Sequence, residues 1–510
     1  MRTHRYFFGR ALTFLPALAC LGVYLAMAPS QITIANNGTD GGDFLAAALT
    51  GGIPHPTGYP TYTLLLRAFE QLPISTAYFR GSLFSAISAS LTVLLVSVWI
   101  ARKSHYSQAG RVGSLVGGTA LGFSPLFWSQ AVIVEVQALQ GLFVILMIWW
   151  ITFLAEDGLS RFKKWSCLAL ALVGGLSLGN HLTILFLLPI VGLAAWQAKR
   201  IGQPPNWLLA QAAVFGAGLL IYAYLPLAAS RTPPVVWGNP ETVNGFWWVV
   251  SGSLYQGMVF GVSLVQAGGR IFEWGRLFLA EFTLPAMIAV LWSLRLKNAW
   301  PIRWGLVWVF LIYSVFYFSY ASRDAVVYLI APWIIASVWI GEGVARLWQW
   351  RTREFAIGVL TSGIILFCLV ARVPLAWGQV DPARDRDTVK MLEEAFARIP
   401  QNAILITWAD EDTFPIWYGH FGLGMRPDLH VIVKSLTNFE WYRDKLRSIY
   451  PDLVFPTSST GSNWIDLLTA LNTERPACQS KLKDNDSVGK IVISCSGVII
   501  LESDYFSNNY

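Results

Sequence analysis

The stretch Leu168–Trp196, LALALVGGLSLGNHLTILFLLPIVGLAAW, decides how the whole chain is threaded. It carries no Asp, Glu, Lys or Arg. At about 1.5 Å per residue it is short for two full membrane crossings and long for one. Gly179, Asn180 and His181 interrupt it near the middle, so it reads as a hairpin of two short helices that turns there. One long tilted helix is the competing reading, and it inverts the membrane side of everything downstream.

Outward from this hairpin, long apolar runs recur from Ala11 to Val373, the signature of a polytopic helical membrane protein. Eleven spans are expected, near 11–29, 79–101, 112–128, 131–154, 165–179, 182–198, 207–229, 277–295, 304–321, 326–345 and 355–373. The composition agrees. Of 510 residues, 55% are hydrophobic and 13% charged, with a mean hydropathy of +0.49. Soluble domains have about a quarter of their residues charged.

Charge placement favours the hairpin. With a cytoplasmic N-terminus, the inner loops hold Arg102/Lys103/Arg111, Arg161/Lys163/Lys164, Lys199/Arg200, Arg295/Lys297/Arg303 and Arg346/Arg351/Arg353. The outer turns near Ser129 and Asn180 hold no basic residue, and the turn near Arg323 holds one. This alternation puts residues 374–510 outside the cytoplasm, which in a bacterial inner membrane is the periplasm. The net charge of +7 is therefore a topology signal and not one for nucleic acid. The first span has a basic start and ends Ala26-Met27-Ala28, as a cleaved signal peptide would. It is read as an uncleaved helix, because many spans follow and the next segment looks functional.

Two domains are expected: a membrane domain over 1–373, with an outer first loop at 30–78, and an extracytoplasmic α/β domain over 374–510. In the second, RDTVKMLEEAFARI and NFEWYRDKLRSI read as helices, and NAILITW and LHVIVK as buried parallel strands. Cys20, Cys167 and Cys368 lie in apolar spans and read as packing residues. Cys478 and Cys495 lie in the polar tail and are either bridged or two free thiols.

The first outer loop contains TDGGDFLAAALTGGIPHPTGYPTY, Thr39–Tyr62. Carboxylates this close to a bilayer are costly unless they bind or react. Asp40 suits a general base, and either aspartate suits a divalent cation such as Mg²⁺ or Mn²⁺. Gly38, Gly41 and Gly42 would let a bulky ligand approach. Asp43 reads equally as the N-cap of a short helix along the membrane. His55, stiffened by Pro54, Pro56 and Pro60, suits a phosphate or an acceptor hydroxyl, or is a rigid entry to the next helix. Glu135 is a carboxylate at the start of a span, and His181 stands at the hairpin tip. Arg231 and Arg323 sit at outer helix ends, where arginine grips phosphate, although Arg323 could instead pair with Asp324. Asp410, Glu411 and Asp412 read first as helix caps and second as a surface that binds acceptor or metal. No nucleotide-binding loop, zinc spacing or nucleophile elbow is present in suitable context, which argues against ATP-driven transport and soluble hydrolase chemistry.

Taken together, these motifs resemble the GT-C class of membrane glycosyltransferases related to the eukaryotic transmembrane O-mannosyltransferase of plexin-type receptors. The bacterial relatives of that enzyme were long a domain of unknown function. The family pattern Asp-Ser-Gly-Glu-Phe, then His-Pro-Pro-Gly-Tyr-Pro-Leu-Tyr, is matched by Asp40-Gly41-Gly42-Asp43-Phe44 and His55-Pro56-Thr57-Gly58-Tyr59-Pro60-Thr61-Tyr62. Glu135-Val136, GLSLGNHLT, YLPLAAS, WGNPET, Asp412-Thr413-Phe414-Pro415 and Arg426-Pro427-Asp428 also match. Asp43, Thr57 and Gln137 depart from the usual Glu, Pro and Tyr. The resemblance implies a polyprenyl-phosphate-linked sugar as donor, mannose by analogy, and a protein or glycan hydroxyl as acceptor. It implies catalysis by Asp40 and Asp43, donor phosphate on His55 with Arg231 or Arg323, and further contacts at Tyr59, Glu135, His181 and Asp324. A lipid-linked-sugar flippase and a non-catalytic assembly protein are the rival readings.

Overall fold

The computed structural model describes residues 2–158, 160–294, 302–349, 354–457, 463–485 and 488–505. Each of the eleven expected spans meets helical structure, and the one at 112–128 is divided between helices Gln108–Gly122 and Pro125–Ala131. Among the described residues, eight helices are long and apolar enough to cross a membrane by length and composition, and Ala11–Met27 is a shorter apolar one. The chain is a multi-pass membrane protein. Arg295, Lys297, Arg351 and Arg353, used above to orient the loops, lie outside the described residues.

The deciding stretch is a hairpin. Helix Arg161–Leu178 ends at Gly179, and His181 opens the tight turn Leu182–Leu187 that leads into helix Leu188–Arg200. The turn is anchored from the neighbouring span, where Gln140 Oε1 accepts from Asn180 Nδ2 at 3.1 Å. Two boundaries differ from expectation. The span placed at 131–154 becomes helical only at Val136, because Glu135 is extended. The span placed at 277–295 begins at Leu264, and its backbone breaks at Thr283, two residues before Pro285 removes a helical donor.

The soluble domain carries one five-stranded sheet: β1 (Ile404–Thr407), β2 (His430–Val433), β3 (Ala477–Asn485), β4 (Val488–Cys495) and β5 (Val498–Tyr505). Its order is β2-β1-β3-β4-β5. The two foreseen strands are β1 and β2, and they pair in parallel as expected. The sheet as a whole is mixed, since β3, β4 and β5 add antiparallel pairs that polar residues hid from the sequence reading. Cys478 and Cys495 face each other across β3 and β4 and are bonded, which resolves the two alternatives left open.

The first outer loop is enclosed by protein. Its helix Gly41–Thr50 is buried from Gly41 to Ala48, beneath the soluble domain's helix Asp410–Trp417. The glycines admit protein where a ligand was expected. A Cβ on Gly42 would lie 2.4 Å from the carbonyl oxygen of Phe414, so only glycine permits this contact. Gly58 makes the sharp turn expected of it, at φ +77°.

Candidate active site

Asp40 occupies the N-cap position of helix Gly41–Thr50, yet its side chain makes no capping bond. Asp43, three residues on, is not the cap that its position suggested. It is fully buried and turns toward the segment that follows the helix. One carboxylate oxygen accepts from the backbone N–H of His55 at 2.8 Å and meets His55 Nδ1 at 2.8 Å. The other accepts from the indole N–H of Trp237 at 3.2 Å. With Nδ1 held by Asp43, the far ring nitrogen of His55 lies 3.5 Å from Asp40. Asp43, His55 and Asp40 thus form a line, sealed at the Asp43 end and 30% exposed at the Asp40 side chain.

Charge follows from this line. Burial alone would lower the His55 pKa, but Asp40 and Asp43 outweigh it and hold the imidazolium up to about 9. Burial lifts Asp40 to about 6, with His55 opposing the rise and Asp324, Asp43 and Glu411 adding to it. At neutral pH the pair is therefore Asp40 carboxylate beside protonated His55. A carboxylate with this affinity for protons is a better base than an ordinary surface aspartate. His55 was expected to reach donor phosphate. Both of its ring nitrogens face carboxylates, which makes it a partner of Asp40.

Aromatic rings wall the site. Tyr59 packs edge-on against His55 at 5.1 Å and adjoins His181 at 6.2 Å. His181 meets Tyr328 at 5.6 Å. The hairpin tip is therefore next to the first loop, although His181 Nδ1 also caps its own turn by accepting from the Thr183 N–H at 3.2 Å. Phe414, from the soluble domain, stacks on His55 with centroids 6.0 Å apart and planes 13° from parallel. Glu135 is 7% exposed, acts electrostatically on the same cluster, and keeps one buried oxygen without a hydrogen bond among the described residues.

The arginines separate. Arg323 does not pair with Asp324 among the described ion pairs, and the Ser322 hydroxyl donates to that carboxylate instead. Asp324 is close enough to raise the pKa of Asp40, and Arg323 is its exposed neighbour in the chain. Its turn is held by Arg270, whose guanidinium donates to the Tyr317 carbonyl at 2.8 Å and the Ser322 carbonyl at 3.0 Å. Arg231 acts on Tyr224, whose hydroxyl donates to the Gly52 carbonyl at 2.7 Å, beyond the far end of the loop helix. The two arginines are thus not equivalent.

In the soluble domain only Asp412 behaves as the cap foreseen, accepting from the N–H groups of Trp408 at 3.2 Å and Ala409 at 2.8 Å. Asp410 and Glu411 act on the first-loop carboxylates. Sequence reasoning missed Trp237, Phe414 and Arg270 as site-builders. The first two lie inside motifs it had quoted, and Arg270 carried no signal. Among the described residues, no group of three His, Cys, Asp or Glu side chains is placed to hold a metal ion.

Comparison with known proteins adds the lineage. Residues 40–201 match a family model described as the Protein O-mannosyl-transferase TMEM260 N-terminal domain, and residues 388–460 match TMEM260-associated domain 2. The chain is 26% identical to Protein O-mannosyl-transferase TMEM260 of Mus musculus over 84% of its own length and 63% of that protein. It is 22% identical to Protein O-mannosyl-transferase tmem260 of Dictyostelium discoideum over 86% of its length and 60% of that protein. It therefore spans under two thirds of these longer relatives. ArnT from Cupriavidus metallidurans bound to undecaprenyl phosphate superposes with a TM-score of 0.59 at 11% identity, covering 100% of this chain and 99% of that one. Its apo form gives 0.53 at 12% identity, covering 99% and 98%. The fold is that of the GT-C class.

Proposed function

We propose that this chain, a member of the GT-C family carrying the TMEM260 O-mannosyl-transferase domains, is a membrane glycosyltransferase. It moves a sugar from a polyprenyl-phosphate donor to a hydroxyl acceptor on the outer membrane face. The observation that carries this reading is the buried line Asp43–His55–Asp40, which presents one activated carboxylate to an exposed opening.

In the proposed reaction the acceptor O–H gives its proton to Asp40 as its oxygen bonds to the anomeric carbon. The bond from that carbon to the phosphate oxygen breaks on the opposite face, and the electron pair leaves with the phosphate. Configuration inverts. Protonated His55 keeps Asp40 ionised before attack, and Asp43 fixes the imidazole ring. Phosphate is a stable leaving group, so no strong general acid is required. Arg323, exposed beside Asp324, meets its charge. ArnT with undecaprenyl phosphate supports a lipid-phosphate donor, and the names of the longer relatives support mannose and a protein acceptor. The charge alternation of the loops supports an extracytoplasmic soluble domain.

The test is transfer in detergent, where no compartments exist, from labelled polyprenyl-phosphate mannose to hydroxyl peptides. Labelled peptide is the expected product, and Asp40→Asn should lower kcat by about 10²–10⁴-fold. Full activity in Asp40→Asn removes the assigned base. No transfer by the intact protein, together with movement of lipid-linked sugar across vesicles, favours the flippase reading instead.

A further inference from the structure

We propose that the soluble domain supplies Asp410 to this site as the carboxylate that binds the acceptor beside Asp40; the inference rests on the transferase reading above. Helix Asp410–Trp417 is seated directly on the first-loop helix, with the Phe414 carbonyl where a Gly42 side chain would be. Phe414 stacks on His55. Asp410 lies four residues before Phe414, and residues so spaced share one helix face. That face is turned toward Asp40 and His55, and the charge of Asp410 acts on both.

Two neighbours in the same turn make the contrast. Asp412 is spent on backbone N–H groups and is buried. Asp410 is exposed and has no hydrogen-bond or ion-pair partner among the described residues. Asp43 and His55 are sealed by protein while the Asp40 side chain is 30% exposed, so an acceptor meets the line at Asp40, the end on which Asp410 acts. A carboxylate there repels a donor phosphate, which places the donor elsewhere, toward Arg323. It suits an acceptor that brings hydrogen-bond donors or a cation next to its hydroxyl. A Ser or Thr in a peptide, flanked by free backbone N–H groups or a Lys, has that chemistry.

Asp410→Asn and Asp410→Ala would be made in the full chain. Transfer from polyprenyl-phosphate mannose would then be measured against Ser/Thr peptides with and without a flanking Lys. The acceptor KM should rise about tenfold, the scale of one charge-assisted hydrogen bond, while the donor KM moves less than twofold. Asp444→Asn, on an exposed part of the same domain, should leave both values at wild type. An unchanged acceptor KM overturns the proposal, as does an equal change in both KM values with a lowered Tm. Peptide binding without donor gives a second readout. Weaker binding by Asp410→Asn at unchanged Tm supports the acceptor role even if the intact protein transfers no mannose, and equal binding overturns it.

Discussion

Two helix starts in this protein share a local design and diverge in use. The first-loop helix begins at Asp40 with Asp43 in its first turn, and the soluble-domain helix begins at Asp410 with Asp412 in its first turn. In the soluble domain, Asp412 folds back onto the N–H groups at its own helix end. In the loop, Asp43 ignores its helix end and binds His55 and Trp237. Local sequence proposes the same role for both. The donors brought close by the tertiary fold decide which carboxylate is a cap and which belongs to a site.

The sharpest way to break this comparison is Asp43→Asn. It keeps the shape but removes the charge that fixes the His55 ring, and kcat should fall about 10²-fold. The pH profile of kcat/KM refines the test. In the intact protein activity should rise through about pH 6 as Asp40 ionises and fall through about pH 9 as His55 loses its proton. Asp43→Asn should move the alkaline limb to lower pH. The same groups set the sign of stability. The His55 ion pair contributes fully below its ordinary pKa of about 6.5 and is lost as pH rises through about 9. Asp40, raised from 3.8 to about 6, works the other way and costs stability as pH climbs across that window. Thermal unfolding between pH 5 and about 9.5 would check both signs.

Gly42→Ala tests how the two helix starts are pressed together. Its methyl group meets the Phe414 backbone, so overpacking should cost about 1–3 kcal/mol, read as a lower Tm, with a loss of transfer as the helices separate. The smallest effect belongs to Asp412→Ala. Loss of the cap should cost about 1 kcal/mol while kcat stays within roughly twofold of wild type. Equal losses of kcat in Asp43→Asn and Asp412→Ala would falsify the division between site and cap.

Much of the membrane fold was legible because lipid imposes a simple rule of long apolar helices. Leu168–Trp196 was readable as a hairpin because Gly179 and Asn180 break a run without charge. The strands β3 to β5 were not legible, since a partly solvated sheet edge tolerates Lys, Asp and Ser. In the site, Asp40, Asp43 and His55 were found because glycine and proline cluster around them, and Tyr59 through the family resemblance. Their mutual roles were not. No spacing rule says that His55 faces two aspartates, or that Phe414 arrives to stack on it.

The contact between Gly42 and Phe414 joins an early part of the polypeptide to a late one. Synthesis at about 5–20 residues per second leaves on the order of tens of seconds between the two. During that interval Asp40 and His55 have emerged without the helix that closes over them. The wall of the site is therefore complete only once helix Asp410–Trp417 has folded and seated, which makes the site a product of the whole fold and not of the first loop alone.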